Sequence, residues 1–195
     1  MADNVTYLNN VDVNKVEKLL QETRDNVQYF NASVDKLVSD YCVTLDNLMN
    51  EIKSRLSGDI QDITDFDLER FYMNLSSTIY SMCENQEQMG VFADMSKAAQ
   101  KEVFNGAYLD SQVKDSDRKN KTTVAELTAI GEEASKYETV VSNIYQHAYQ
   151  MIKLKIEAAK AMSQTIHKII SRRMMEMQLS AFTPKEIIPS SREDF

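Results

Sequence analysis

Positively charged side chains that could bind phosphate are concentrated near the end of the chain. Between Met151 and Arg173, six basic residues stand against a single acid, Glu157, although the whole chain has a formal net charge of −8. On a helix that turns by 100° per residue, five side chains fall within an arc of about 140°: Lys153, Lys160, His167, Lys168 and Arg172. Such a face binds nucleic-acid backbones because each neutralised phosphate releases condensed counterions. A solvated helix surface explains the same residues without any partner.

A second basic segment precedes this helix. Residues 114–121 contain no apolar side chain, so we expect a solvent-exposed loop. Two aspartates dilute its four cations, and the loop alone is therefore little evidence for phosphate binding. Single strands also need aromatic side chains on which bases can stack. The nearby candidates are Tyr108, Tyr137, Tyr145 and Tyr149, although their helical spacing also fits packing inside the protein.

Two cations interrupt the apolar stripe of the last helix. Lys155 and Arg173 are about five turns apart, and both lie among apolar residues of the stripe. A charge in that position must extend to solvent, pair with an acid or contact a partner. Two arrangements would accommodate these two charges. One is a salt bridge to the first helix or to a neighbouring subunit, and the other is a line of cations facing the lumen of an oligomer. We predict an oligomer interface at Lys155, Arg173, Ile166, Ile170 and Met174.

No pattern typical of an enzyme or of a cofactor site occurs in the sequence. The phosphate loop, the dinucleotide fingerprint and the nucleophile elbow are all missing. His147 and His167 lack the nearby carboxylate of di-iron bundles, and no zinc-ligand spacing is found. Cys42 and Cys83 are too few for a disulfide scaffold and fit buried thiols in a reducing compartment. We therefore predict a protein that is not an enzyme and that needs neither metal nor cofactor.

The elements that position these residues are predicted to be helices. The 195 residues include 4 Gly and 2 Pro, and both prolines lie in the last dozen residues, so helix breakers are rare. An apolar stripe predicts a first helix over about 13–57, with Asp12 as its N-cap and Gly58 as a left-handed stop. A second segment begins at a cap on Thr64 or Asp65, and a third ends near Tyr108. The pattern falters between them, at residues 85–90, which predicts a shorter, kinked middle helix pair or a single kinked rod.

The last helix has the clearest beginning. Thr123 and Glu126 form a capping box, in which each side chain accepts a hydrogen bond from the backbone amide of the other residue. The apolar stripe that follows predicts a helix over about 123–178. Because the first and last stripes are too long for a small globule, we predict an elongated all-α helical bundle that self-associates through coiled-coil contacts. Residues 1–181 would form one domain, and 182–195 an extended or disordered tail.

The order of features over residues 101–175 gives a further indication. A helix ends in Val-Phe-Asn-Gly-Ala-Tyr108, a polar basic loop follows, and the chain restarts at Lys121-Thr-Thr-Val-Ala-Glu126. The long helix then carries Tyr145, Tyr149 and Lys153 and closes on Ser171-Arg172-Arg173. This order resembles the UvsY-type recombination mediators of tailed phages. Members of that family form ring oligomers, bind single-stranded DNA and help to load a recombinase onto strands covered by single-strand-binding protein. The additional first helix, the loop aspartates and the acidic net charge depart from that pattern.

The resemblance implies a set of phosphate contacts and a role. The contacts would come from the loop and from the last helix, namely Lys114, Arg118, Lys119, Lys121, Lys153, Lys160, Lys168 and Arg172, together with Lys101. The leading hypothesis is a phage-encoded, oligomeric accessory protein in the cytoplasm of a bacterial host, which binds single-stranded nucleic acid or a nucleoprotein complex beside recombination proteins. The alternative is a virion structural or assembly protein of the neck, core or baseplate type, held by helix contacts and by the tail. No apolar run is long enough to predict a membrane span.

Overall fold

The computed structural model describes residues 13–58, 62–115 and 122–181, which form four α-helices and no strand. The helices are α1 (Val13–Leu56), α2 (Asp65–Asp115), α3 (Val124–Ala134) and α4 (Lys136–Ala181). The all-α class predicted from the sequence is therefore confirmed. Within these ranges, no helix combines the length and the apolar composition that crossing a membrane requires. The predicted cap at Asp12 and the tail over 182–195 lie outside the described residues.

Helix α1 ends without a left-handed glycine. The backbone amide of Ser57 donates to the carbonyl of Lys53 at 3.0 Å, and that of Gly58 donates to the carbonyl of Arg55 at 3.4 Å. No glycine in the described part of the chain has a positive φ. The predicted conformation of Gly58 is thus wrong, because a tightened last turn already satisfies the carbonyl that a left-handed cap would serve.

The predicted middle pair is one continuous helix. Helix α2 contains 51 residues, begins at a Thr64 cap whose hydroxyl accepts from the amide of Asp67 at 3.1 Å, and extends past Tyr108. Its interior includes Gly90, where an added β-carbon would make an ordinary contact with the ring of Tyr149 at 3.4 Å. Asn85 donates its side-chain amide to the carbonyl of Tyr41 at 3.2 Å. The residues that weaken the helical pattern therefore make packing contacts. Of the two predicted alternatives, the single rod agrees with the structure and the separate pair is wrong.

The predicted last helix is divided at Ser135. Its capping box is confirmed: the amide of Glu126 donates to the Thr123 hydroxyl at 3.3 Å, and the amide of Thr123 donates to the Glu126 carboxylate at 2.8 Å. Eleven residues later, α3 ends and α4 starts after the buried Ser135, whose hydroxyl donates to the carbonyl of Gly131 at 2.9 Å. A serine that bonds back to the preceding turn, close to a glycine, is a known cause of helix bending. A single helix over 123–178 is therefore wrong in detail.

Gly131 is tightly covered by the ring of Phe104, and this predicts an effect on stability. A β-carbon at Gly131 would lie 2.8 Å from that ring. We expect Gly131→Ala to lower the free energy of unfolding by about 1–2 kcal/mol, because overpacking outweighs the gain in helix propensity. Urea unfolding followed by circular dichroism measures the change.

The matched control is Gly106→Ala in α2. A β-carbon at Gly106 meets no atom within 4 Å, so only the helix-propensity term remains, and we expect stability to rise by about 0.5–1 kcal/mol. A gain of equal size in both variants would show that the Phe104 ring moves aside at no cost.

The described residues divide into two compact units, each with its own apolar core. The first unit comprises the described parts of 1–43 and 82–155, and its buried apolar side chains are Val34, Val38, Cys42, Met82, Met89, Ala93, Leu127, Ala148 and Ile152. The second unit comprises the described parts of 44–81 and 156–195, and its buried apolar side chains are Leu45, Ile52, Ile63, Leu68, Phe71, Leu75, Ile156, Ala159 and Ile166. Helices α1, α2 and α4 each contribute residues to both units. The prediction of one domain over 1–181 stays a prediction.

Candidate nucleic-acid interface

Three of the predicted phosphate-binding residues share the outer surface of α4 in the second unit. Lys160, Lys168 and Arg172 are all exposed. The opposite side of the same helix segment carries Ala159 and Ile166, which are buried. This packing fixes the rotation of α4 about its axis, so the three cations point to solvent. We call these three residues the basic face.

The charge of the basic face is smaller than the sequence count suggests. Arg172 pairs with Glu176 one turn later, with Nε and Oε1 2.9 Å apart. Lys160 and Lys168 form no ion pair with any residue that the structure describes. An exposed ion pair between residues four apart contributes only about 0.3–0.5 kcal/mol. A phosphate can therefore displace Glu176 from Arg172 at little cost.

An aromatic pair borders the basic face. The ring of His167 lies 5.7 Å from the ring of Tyr72 on α2, at an interplanar angle of 47°. His167 is exposed and follows Lys160 by two turns, whereas Tyr72 is half-buried. Proteins bind single-stranded nucleic acid through cations that contact the backbone and through aromatic rings on which the bases stack. The sequence alone does not connect Tyr72 with this surface, because nothing in its local pattern relates it to the last helix.

The other predicted phosphate contacts are elsewhere or are not described. Lys153 lies on α4 within the first unit, and Lys114 lies near the end of α2; both side chains are exposed. Because α2 extends to Asp115, the predicted loop cannot begin at Lys114. The remaining loop residues, Arg118, Lys119 and Lys121, lie outside the described residues. The basic face is therefore defined by the α4 residues of the second unit alone.

The tyrosines proposed as stacking platforms have different surroundings. Tyr145 stacks on Phe92 with the ring centres 5.7 Å apart, and the hydroxyl of Tyr149 accepts a hydrogen bond from Gln86 at 3.3 Å. These two side chains take part in packing inside the first unit. Tyr137 is exposed, at the start of α4.

Arg173 forms its salt bridge within the chain. Its Nη1 donates to Oδ1 of Asp65 at 2.8 Å and to the carbonyl of Ile63 at 2.7 Å. The partner acid thus lies in the first turn of α2, rather than on the first helix or on a neighbouring subunit. Lys155 is half-buried in the first unit. Within the second unit, Arg173 therefore ties the end of α4 to the segment that enters α2.

The predicted oligomer interface is only partly available to another subunit. Ile166 is fully buried in the core of the second unit, so assigning it to a subunit contact is wrong. The physical reason is that other residues of the second unit already cover the apolar stripe of α4 at this position. Ile170 is half-buried, and Met174 is exposed.

An apolar stripe on α2 is exposed instead. Phe66, Met73 and Tyr80 follow one another at seven-residue steps, and between 69% and 83% of each is exposed. The core residues of the same helix segment, Leu68, Phe71 and Leu75, lie on the opposite side. In the second unit, α2 therefore has apolar residues on two sides. One side faces the core of the unit, and the other is exposed.

Cavities and polar clusters of the described residues add no catalytic arrangement. A groove of about 340 Å³ in the first unit is lined by Glu87, Gly90, Asp94, Tyr149 and their neighbours, a set without a nucleophile beside a base. Within the described ranges, no three His, Cys, Asp or Glu side chains are grouped to hold a metal ion. The basic face with its aromatic border is therefore the candidate functional site. Comparisons of the chain with protein-family models, with curated proteins and with solved structures give no match.

Proposed function

We propose that this chain is a non-enzymatic helical protein that binds the backbone of single-stranded nucleic acid along the basic face. The observation that supports the proposal is the pair Lys160 and Lys168, exposed on one surface of a packed helix and without an acidic partner among the described residues. Phosphates would contact these lysines and Arg172, while a base could stack on His167. The binding would depend on backbone charge and not on base sequence.

The likeness to UvsY-type mediators suggests the biological setting of this activity. In that setting the chain is a phage-encoded accessory protein that binds single strands, or strands already covered by protein, while a recombinase is loaded. The net charge of the chain is −8, so a contact confined to the basic face must outweigh a general repulsion of the strand.

Charge reversal on the basic face tests the proposal. We expect Lys160→Glu with Lys168→Glu to weaken the binding of a fluorescent oligothymidine by roughly tenfold or more at low salt, because two attractive contacts become repulsive. Fluorescence anisotropy over a series of salt concentrations measures the affinity. For the unmodified chain we expect the logarithm of the affinity to fall linearly as the logarithm of the salt concentration rises.

The control makes the same charge change on α1, where Lys36→Glu and Lys53→Glu alter two exposed lysines of a different helix. This variant should keep most of the affinity. Equal losses in the two variants would show that net charge alone governs binding, and no binding at low salt by the unmodified chain would refute the proposal.

A second candidate function is supported by the exposed stripe of Phe66, Met73 and Tyr80. Large apolar side chains that recur at seven-residue steps along one exposed side of a helix suit helix–helix contacts between subunits, so the chain could be a subunit of a larger assembly, such as a virion part. In that case Met73→Glu with Tyr80→Glu should abolish higher oligomers in analytical ultracentrifugation and leave the affinity for the oligonucleotide unchanged. Oligomers that persist in this variant would count against the second candidate.

A further inference from the structure

The first third of α1 carries an apolar seam that the described part of the chain leaves uncovered. Val16, Leu20, Thr23 and Val27 follow one another at alternating steps of four and three residues, which is the spacing of core positions in a coiled coil. The three aliphatic members are between 39% and 54% exposed. Leu19 beside them is equally exposed. An extended helix with such a seam is stable in water only when another surface covers it.

The same seam is buried farther along the helix. Val34 continues it with the same spacing and lies in the core of the first unit, and the other members that follow are half-buried, namely Phe30, Leu37 and Tyr41. At the boundary between the two parts, the ring of Phe30 meets the ring of His147 edge-on at 5.3 Å. The uncovered part is therefore a continuation of an established packing surface, whose partner helices α2 and α4 do not bury it.

We propose that this seam pairs with the same seam of a second copy of the chain, in antiparallel orientation. An antiparallel two-helix pair alternates the two kinds of core position across the interface. Val16 then meets Val27 of the second copy, and Leu20 meets its Thr23. The arrangement is symmetric, so each contact occurs twice, as a two-fold axis requires.

The charges beside the seam determine this orientation. Glu17 and Arg24 occupy equivalent flanking positions, seven residues apart, on the same side of the seam. Neither forms an ion pair with a described residue of its own chain. In the antiparallel pair, these flanking positions face each other, so Glu17 of each copy lies beside Arg24 of the other. A parallel pair would instead place Arg24 opposite Leu19 and bury its charge against an apolar side chain.

Reciprocal charge exchange tests both the dimer and its orientation. Sedimentation equilibrium of the full chain over a dilution series should show a reversible dimer. Glu17→Arg and Arg24→Glu, made separately, should each raise the dimer dissociation constant roughly tenfold, because each places like charges together twice. The double variant Glu17→Arg/Arg24→Glu should recover the original constant to within about threefold, since it restores both pairs. Leu20→Asp should leave only monomer.

The matched control is Asp25→Arg, which makes the same charge change as Glu17→Arg at a position facing away from the seam. It should leave the dissociation constant nearly unchanged. Circular dichroism confirms the helix content of every variant. A chain that is monomeric throughout the dilution series, a Leu20→Asp variant that still dimerises, or a double variant as weak as its parents would each overturn the antiparallel pairing.

Discussion

Replacing Ile166 with alanine is expected to lower the free energy of unfolding by about 2–5 kcal/mol, the range for a buried aliphatic side chain that leaves a cavity. Ile166 is fully buried, on the inner side of α4 in the second unit. The stripe pattern alone assigned this residue to a subunit interface. The two assignments predict different dependences on protein concentration.

Unfolding by urea at two protein concentrations measures that dependence. A core residue of one chain gives the same loss at both concentrations, because the unfolding equilibrium involves a single molecule. An interface residue gives a loss that varies with concentration, because mass action then contributes to apparent stability. Ile130→Ala is the matched control. This isoleucine of α3 is 42% exposed, so its truncation should cost less than about 1 kcal/mol. A concentration-dependent effect at Ile166 would contradict its assignment to the core.

Features that depend on neighbouring residues could be predicted from the sequence. The capping box at Thr123 needs only residues three apart, and the structure contains both of its backbone hydrogen bonds. The end of α1 was expected at residue 57 and is found at Leu56, because the stripe stops where the aperiodic segment begins. Local hydrogen bonds and local periodicity determine these boundaries, so no knowledge of the fold is needed.

Features that depend on distant residues could not be predicted in the same way. Gly90 appeared to interrupt a helix, yet it lies inside one, and the ring of Tyr149, which is distant in sequence, packs beside it. A glycine that breaks a helix cannot be distinguished in a sequence from a glycine inside a packed helix. Likewise, the division of the helix at Ser135 could be predicted only if it were known that the serine hydroxyl donates to the carbonyl of Gly131 rather than to water.

The candidate site also combines features that could be predicted from the sequence with features that could not. The exposure of Lys160 and Lys168 followed from helical geometry, because the apolar stripe defines the opposite side. The pairing of Arg172 with Glu176 was readable from their four-residue spacing. The aromatic border could not be predicted, because Tyr72 and His167 belong to helices that are far apart in the sequence. The acid that pairs with Arg173 could not be identified for the same reason.

The second large effect is expected for Arg173→Met, which should lower the free energy of unfolding by about 1–3 kcal/mol. Methionine keeps most of the buried apolar stem but removes the donors to Asp65 and to the carbonyl of Ile63. Asp65 is half exposed, so water can replace its partner at low cost. Ile63 is buried, so the larger part of the loss should come from its carbonyl oxygen.

Arg172→Met is the matched control, since the neighbouring arginine has the same side chain and also an acidic partner. The two differ in exposure, with 22% of the Arg173 side chain exposed against 82% for Arg172. The control should change stability by less than about 0.5 kcal/mol. Equal costs for the two substitutions would show that the ion pair to Asp65 contributes no more than a surface pair does.

A double-mutant cycle with Asp65→Asn separates the ion pair of Arg173 from its hydrogen bond to the Ile63 carbonyl. In the Asp65→Asn background the ion pair is already absent, so Arg173→Met removes chiefly the hydrogen bond to the Ile63 carbonyl. If that bond dominates, Arg173→Met should cost nearly the same in both backgrounds. A cost that disappears with Asp65→Asn would place the whole effect in the ion pair. High salt should then reduce the cost in the parent chain, because added ions screen a half-exposed charge pair more than a hydrogen bond to a backbone carbonyl.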